Sequence, residues 1–108
     1  MTGASGQNTP KVTVLMPVYN SARFLREALD SILAQTWQDL ELLAIDDGST
    51  DRSLEVLHSY RDPRLRIVSH QQYSGLTATL NEGIDLAKGE YIARMDADDA
   101  MVPERLPE

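Results

Sequence analysis

Short apolar or β-branched runs alternate with amphipathic helical segments along almost the whole chain, and this alternation constrains the fold more than any other feature. The runs predict four strands, at 11–16, 40–45, 65–69 and 90–95. Between them, apolar residues recur at helical spacing within 21–35, 51–60 and 76–87. The order β-α-β-α-β-α-β with short connections predicts an α/β fold, in which a parallel sheet has helices on both faces.

The third helical segment shows the pattern most simply. It places Leu76, Leu80, Ile84 and Ala87 at helical spacing, which predicts one apolar face. Gly89 follows at the position where a glycine commonly caps the end of a helix.

The chain is long enough for one compact domain at most. It has 108 residues, whereas a typical domain has about 150. The first ten residues are polar and lack the apolar stretch of a secretory signal, so we expect a flexible leader at 1–10 and one compact unit, the N-terminal part of a longer domain, from 11 to 108. No apolar run approaches the roughly 20 residues of a membrane span. We therefore expect a cytoplasmic location, with peripheral attachment to the inner face of the membrane in a longer protein.

Composition excludes several classes of function. The chain has 17 acidic and 10 basic residues and a net charge of −7, so we expect no nucleic-acid partner, because phosphate-binding domains usually present a basic face. Cysteine is absent, which excludes disulfides, thiolate nucleophiles and zinc–thiolate sites.

The predicted sheet indicates where a ligand binds. In open parallel α/β sheets, ligands bind beyond the carboxyl ends of the strands, where the strand order reverses. The segments that leave the four strands are 17–20, 46–49, 70–72 and 96–99. Two of these segments contain five acidic residues, which are Asp46, Asp47, Asp96, Asp98 and Asp99. A ligand site at this edge is therefore expected to be acidic.

Asp96 and Asp98 are separated by one residue after the fourth strand. In extended chain, such side chains point to the same side about 6.5–7 Å apart, and a divalent cation relieves their repulsion. Mg²⁺ or Mn²⁺ prefers oxygen ligands and often binds one or two carboxylates together with substrate phosphates. The alternative from spacing alone is an acidic solvated loop that caps the next helix.

The segment 46–51, DDGSTD, follows the second strand. Because neighbouring residues point to opposite faces, only one of Asp46 and Asp47 is expected to face the crevice, while the other accepts hydrogen bonds from local backbone. Gly48 permits a turn with positive φ. Taken alone, this segment is also explained by turn chemistry.

Two phosphate-binding motifs are missing from the sequence. Neither the dinucleotide fingerprint G-x-G-x-x-G nor the P-loop motif occurs. An acidic crevice repels a diphosphate unless a metal bridges the two, so the charge favours either a metal–phosphate site or no phosphate at all. His70 ends a strand at the same edge, as a ligand-binding or merely a strand-terminal residue, and Arg94 is placed to neutralise a nearby acid.

Four motifs together resemble those of family 2 glycosyltransferases of the GT-A fold. They are VTVLMPVYN at 12–20, SILAQT at 31–36, DDGSTD at 46–51 and GEYIARMDADD at 89–99. Each is modest alone, but the four occur in the family's order and at the expected strand ends. The resemblance runs from about Lys11 to Leu106 and implies a Rossmann-like sheet of GT-A type.

The resemblance also implies roles for individual residues. Pro17 and Tyr19 would line the nucleoside pocket, and Asp47 would accept a hydrogen bond from the base. Asp96 would lie near the ribose and the metal, and Asp98 would bind the Mg²⁺ or Mn²⁺ that bridges the diphosphate.

The implied activity is transfer of a sugar from a nucleotide-diphosphate donor, UDP-linked in many members, with inversion at the anomeric carbon. The acceptor would be a growing polysaccharide or a lipid-linked glycan. A complete domain of this type is about twice as long, so the resemblance places the acceptor site and the catalytic base beyond the C-terminus and leaves this chain with the donor and metal site. We expect the chain by itself to be inactive and prone to self-association through exposed edges.

Two other functions stay open at this point. A nucleotidyltransferase has a similar sheet but usually a basic, glycine-rich loop after its first strand, which PVYN at 17–20 is not. A non-catalytic nucleotide-binding or assembly module would keep the fold without the chemistry.

Overall fold

The computed structural model describes residues 10–35 and 39–97, in which seven elements follow one another in the predicted order. They are β1 (Val12–Val18), α1 (Ala22–Leu33), β2 (Leu40–Asp47), α2 (Ser53–His58), β3 (Leu65–His70), α3 (Leu76–Leu86) and β4 (Tyr91–Arg94). The predicted α/β fold is confirmed. The first two strands each extend two residues further than predicted, which makes Asp46 and Asp47 part of β2.

All strand pairs in the described sheet are parallel, and the strand order is β3-β2-β1-β4. The chain proceeds outward from β1 through β2 to β3 and then returns to the other side of β1. The order therefore reverses between β1 and β4. At the carboxyl edge, Val18 pairs with Asp46, and Asp47 pairs with His70.

Helices cover both faces of the sheet, as predicted. On one face, α1 and α2 bury Leu25, Leu29 and Leu57 against the strands. On the other face, α3 packs Leu80 and Leu86 against a smaller cluster on the strands. That cluster consists of Leu15, Leu43 and Ile45.

The buried side of α3 differs from the predicted apolar face. Thr79 and Gly83 are the buried residues of this helix, whereas Leu76 and Ile84 are exposed. A Cβ at position 83 would overlap the side chain of Leu15. The helix therefore approaches the sheet through small residues, and the larger apolar side chains flank the contact.

The end of α3 also differs from the prediction. The helix ends at Leu86, and Ala87 in extended conformation (φ −64°, ψ 137°) occupies the C-cap position. Gly89 lies against β1, where a Cβ would be 2.5 Å from the backbone nitrogen of Thr13. Gly89 is thus required by a close approach of two chain segments and does not cap the helix.

The loops at the carboxyl edge are bonded to one another. The side-chain Oδ1 of Asn20, after β1, accepts hydrogen bonds from the amides of Thr50 (2.7 Å) and Asp51 (3.2 Å), after β2. Asp51 in turn accepts a bond from the amide of Ala22 at the start of α1. These contacts fix the ends of β1 and β2 relative to each other.

Within the described part of the chain, no helix has the length and apolar character needed to cross a membrane. Strand β4 lies at the edge of the described sheet, and its Tyr91 and Ile92 are exposed.

Candidate functional site

A pocket of about 230 Å³ opens at the carboxyl edge of the sheet, where the strand order reverses. Residues from the end of β1, the end of β2, the start of α3 and the end of β4 line it. Among them are Pro17, Tyr19, Asp47, Thr79, Arg94 and Asp96. Four residues that the sequence analysis selected, Pro17, Tyr19, Asp47 and Asp96, thus meet in one pocket.

Asp47 is the most highly bonded carboxylate of the pocket, and its side chain is only 4% exposed. Its Oδ1 accepts hydrogen bonds from His70 Nδ1 and from the amide and hydroxyl of Ser74, each at 2.8 Å. Its Oδ2 accepts one bond, from the amide of Gly75 at 2.8 Å. Burial alone would raise the pKa of Asp47, but these bonds outweigh burial and hold the pKa far below its usual range. Asp47 is therefore ionised at neutral pH.

His70 connects Asp47 to α3. Its Nδ1 contacts Asp47 and its Nε2 contacts Oε1 of Glu82. The bond to Asp47 raises the pKa of His70 against the opposing effect of burial, and the contact with Glu82 adds to the rise. Protonated His70 can donate to both carboxylates at once. The residue thus has a definite bonding role between two elements, more than that of a plain strand-terminal residue.

Asp46 faces away from the pocket residues, toward its own turn. It accepts hydrogen bonds from the hydroxyl of Ser49 at 2.6 Å and from the amide of Ser49 at 3.3 Å. This agrees with the expectation that one of the two neighbouring carboxylates serves the local turn. Asp47 combines both functions, because it lines the pocket and also bonds backbone amides.

Asp47 bonds the loop between β3 and α3 at the pocket, and Gly48 leaves room for the loop backbone. Gly48 has a positive φ of 74°, and a Cβ there would be 2.5 Å from the amide nitrogen of Tyr73. Glycine is therefore needed at this position both to adopt a positive φ and to leave room for the backbone of Tyr73. The loop brings the Tyr73 ring to 4.6 Å from the Tyr19 ring, with an interplanar angle of 55°. Both rings line the pocket and are partly exposed to solvent.

Asp96 and Arg94 form the other end of the pocket. Nε and Nη2 of Arg94 each lie 3.1 Å from Oδ1 of Asp96, and both side chains are about half exposed. The expected neutralisation of an acid by Arg94 is thus present as an ion pair. Asp98, the other predicted metal ligand, lies outside the described residues.

The donor atoms at this end of the pocket determine whether a divalent cation fits there. In residues 10–35 and 39–97, no group of three or more acidic or histidine side chains is arranged to hold a metal ion. Among the described residues that line the pocket, Asp96 supplies a solvent-accessible carboxylate at this end. Mg²⁺ and Mn²⁺ are commonly bound by one or two carboxylates, with phosphate oxygens and water completing the shell. An exposed carboxylate beside an open pocket fits that mode of binding.

Several residues of the site were not predicted from the sequence, and three of them matter most here. Tyr73 and Thr79 line the pocket, and Glu82 contacts His70. Glu82 lies twelve residues from His70, and nothing in the local sequence indicates the contact. For Tyr73, an aromatic residue beside Ser74-Gly75 in a loop at the predicted ligand edge was an available signal.

The chain is similar to known proteins in both sequence and fold. A family model described as glycosyl transferase family 2 matches residues 13–108. The glycosyltransferase GlyG of Streptococcus pneumoniae is 40% identical over 90 residues, which are 82% of this chain and 30% of GlyG. The chain therefore spans less than a third of the length of that relative.

Solved structures of other proteins have a similar fold. TarS of S. aureus in complex with UDP-GlcNAc has a TM-score of 0.83 and 31% identity over 89% of this chain and 29% of TarS. The mannosyltransferase PcManGT of Pyrobaculum calidifontis, in complex with GDP-Man and Mn²⁺, has a TM-score of 0.77 and 32% identity over 84% of this chain and 28% of its own. The match of the family model to almost the whole chain, supported by these relatives, shows that the chain belongs to glycosyl transferase family 2.

Proposed function

We propose that this chain is the donor-binding part of a glycosyltransferase and that its carboxyl-edge pocket binds a nucleoside-diphosphate sugar, preferably UDP-linked. One observation supports the proposal above all others. Asp47 and Asp96 come from chain segments about 50 residues apart, yet they line the same pocket at the reversal of strand order.

In this proposal Asp47 selects the base. An ionised carboxylate only accepts hydrogen bonds, so it favours bases with a ring N–H, which are uracil and guanine, over cytosine and adenine. Oδ1 already accepts three bonds and Oδ2 accepts one. Guanine presents two adjacent donors and needs both carboxylate oxygens, whereas uracil presents one N–H and needs only the free position on Oδ2. The arrangement therefore favours uridine nucleotides.

Structures of similar proteins support a nucleoside-diphosphate sugar as the donor. TarS was solved with UDP-GlcNAc and PcManGT with GDP-Man, and both bases have the ring N–H that a carboxylate selects. Tyr19 and Tyr73 would supply aromatic surface for the base. Pro17, at the end of β1, would line the same nucleoside pocket.

The diphosphate would lie at the Asp96 end of the pocket. We propose that Asp96, together with Asp98, holds a Mg²⁺ or Mn²⁺ ion there. When bound, the ion would offset the negative charge of the diphosphate leaving group. Arg94 contributes a fixed positive charge beside Asp96.

The chemistry we propose for the whole enzyme is a single displacement with inversion. An acceptor hydroxyl oxygen forms a bond to the anomeric carbon, the bond from that carbon to the diphosphate oxygen breaks, and the hydroxyl proton passes to a base. We propose that the base and the site for the acceptor, a growing polysaccharide or lipid-linked glycan, belong to the part of the family fold that this chain does not span.

Calorimetric titration with UDP, with and without Mn²⁺, tests the proposal. We expect binding that requires Mn²⁺ and that is lost in Asp98→Ala and weakened in Asp96→Asn. Asp85→Asn, on α3, is a control for the change in net charge and should bind like the parent. Binding of a nucleoside triphosphate but not UDP would contradict the proposal in favour of a nucleotidyltransferase. If UDP bound equally well without Mn²⁺ and in the Asp96 and Asp98 variants, the assignment of the metal site would be contradicted.

A further inference from the structure

Thr79 is a buried polar residue whose hydroxyl has no hydrogen-bond partner. It lies in the first turn of α3, is 1% exposed and lines the pocket together with Asp47. Within residues 10–35 and 39–97, its Oγ1 is the buried side-chain polar atom for which no partner is found. Such an atom destabilises the folded protein, because the bond it made with water is not replaced.

The helix itself does not use this hydroxyl. In helices, threonine often donates to the carbonyl four residues earlier. Here the carbonyl of Gly75 accepts the backbone amide of Thr79 at 3.1 Å, and Oγ1 makes no such bond. Valine would have the same shape and would bury no unpaired hydroxyl. Folding alone therefore gives no reason for threonine at this position.

We propose that the Thr79 hydroxyl binds the base of the donor, donating a hydrogen bond to a uracil carbonyl. The inference rests on the proposed function and extends it by a specificity-determining residue. In uracil, a carbonyl lies on each side of the ring N–H. If Asp47 accepts that N–H through Oδ2, a carbonyl oxygen of the base needs a donor close by. Thr79 lines the same pocket, and its hydroxyl is bonded to no other group.

Two variants separate this role from a structural one. Thr79→Val keeps the shape and removes the hydroxyl, whereas Thr79→Ser keeps the hydroxyl. We expect Thr79→Val to bind UDP about tenfold more weakly than the parent, which corresponds to the loss of one hydrogen bond. Its thermal unfolding temperature without ligand should equal or exceed that of the parent. Thr79→Ser should retain UDP affinity within about threefold of the parent.

Thio-substituted nucleotides test the contact itself. Sulfur accepts hydrogen bonds poorly, so either 2-thio-UDP or 4-thio-UDP should bind the parent more weakly than UDP. Thr79→Val should not distinguish that analogue from UDP. The same ratio of affinities in both proteins would overturn the inference, as would a Thr79→Val variant that unfolds at lower temperature and binds UDP as the parent does.

These outcomes are distinct from a failure of the proposed function. If the parent chain does not bind UDP, the proposed function is wrong and the inference falls with it. If the parent binds UDP and Thr79→Val binds it equally well, only the assignment of Thr79 is wrong.

Discussion

Two buried carboxylates lie at opposite ends of β2, and each holds one end of α3. Glu41, near the start of the strand, accepts a hydrogen bond from the amide of Lys88 after the helix, at 2.9 Å. Asp47, at the end of the strand, accepts one from the amide of Gly75 before the helix, at 2.8 Å. The same device therefore anchors the helix at both edges of the sheet.

The two carboxylates differ in their cationic partners and in their surroundings. Arg66 contacts Glu41 at 3.1 Å, and His70 contacts Asp47 at 2.8 Å, both from β3. Arginine stays charged at every accessible pH, whereas histidine titrates. Asp47 lines the pocket and Glu41 does not. The comparison separates anchoring, which both carboxylates perform, from ligand binding, which we assign to Asp47 alone.

The largest effects are expected when each carboxylate becomes an amide. Asp47→Asn turns one oxygen into an NH₂ group that faces the donors of Ser74 or Gly75, so we expect a loss of about 3 kcal/mol in the free energy of unfolding. Glu41→Gln should cost a similar amount, because it faces the amide of Lys88 in the same way. Urea unfolding measures both values.

Ligand binding should then distinguish the two variants. We expect the folded fraction of Glu41→Gln to bind UDP with the parent affinity, and that of Asp47→Asn to bind at least tenfold more weakly. Equal losses of affinity in the two variants would contradict the separation of anchoring from binding.

Two glycines, one at each end of the strands, extend the comparison to the backbone. Gly48→Ala would place a Cβ 2.5 Å from the amide nitrogen of Tyr73 at a positive φ, and Gly89→Ala would place one 2.5 Å from that of Thr13. We expect each to cost about 2 kcal/mol in the free energy of unfolding. UDP titration at a temperature where both variants are folded should show weaker binding only for Gly48→Ala. Parent-like affinity in Gly48→Ala would show that the position of the β3–α3 loop does not matter for the ligand.

Because His70 titrates and Arg66 does not, of the two ion pairs only the one at the carboxyl edge should make the free energy of unfolding depend on pH. Folding raises the pKa of His70, so its stabilisation is complete below the unfolded value of about 6.5 and is lost as the pH rises through the folded pKa. We expect the free energy of unfolding of the parent to fall over that range. His70→Gln should lack this component of the slope, and Glu41→Gln should retain it. Identical slopes in the parent and His70→Gln would contradict the bonding role of His70.

The smallest effect is expected from an exposed ring. Tyr73 and Tyr91 are 59% and 61% exposed. Tyr73 lies beyond the carboxyl end of β3, whereas Tyr91 lies at the amino end of β4. Tyr73→Ala should change the free energy of unfolding by less than about 0.5 kcal/mol and should weaken UDP binding about fivefold through lost stacking. Tyr91→Ala, the matched control, should leave the affinity unchanged. Equal UDP affinities of the two variants would show that Tyr73 does not contribute to the binding site.

Much of this architecture could be predicted from the sequence because it depends on short-range patterns. The apolar runs gave the strands and their order along the chain, and the acidic residues that follow them indicated the ligand edge. The alternation of side chains along β2 predicted different roles for Asp46 and Asp47. These predictions need only the periodicity of the strands and the rule that parallel strands share a carboxyl edge.

The remaining features depend on contacts between distant segments. The apolar spacing in α3 predicted a face with Leu76 and Ile84, whereas the helix packs through Thr79 and Gly83, because the side chain of Leu15 leaves room only for a small residue. The contact of His70 with Glu82 requires the packed position of α3. Such choices depend on the shape of the surface opposite, which the local pattern does not contain.

The central claim, that the nucleotide binds in the carboxyl-edge pocket, is tested most directly by amide chemical shifts during titration with UDP and Mg²⁺. Amides near the two ends of α3 report on the two edges of the sheet in one experiment. We predict that the amides of Ser74, Gly75 and Ala97, at the pocket edge, shift with saturation. The amides of Lys88 and Gly89, bonded to Glu41 and Thr13 at the opposite edge, should stay in place. Saturable shifts at Lys88 and Gly89 without shifts at Ser74 and Gly75 would contradict the assignment of the nucleotide to the carboxyl-edge pocket.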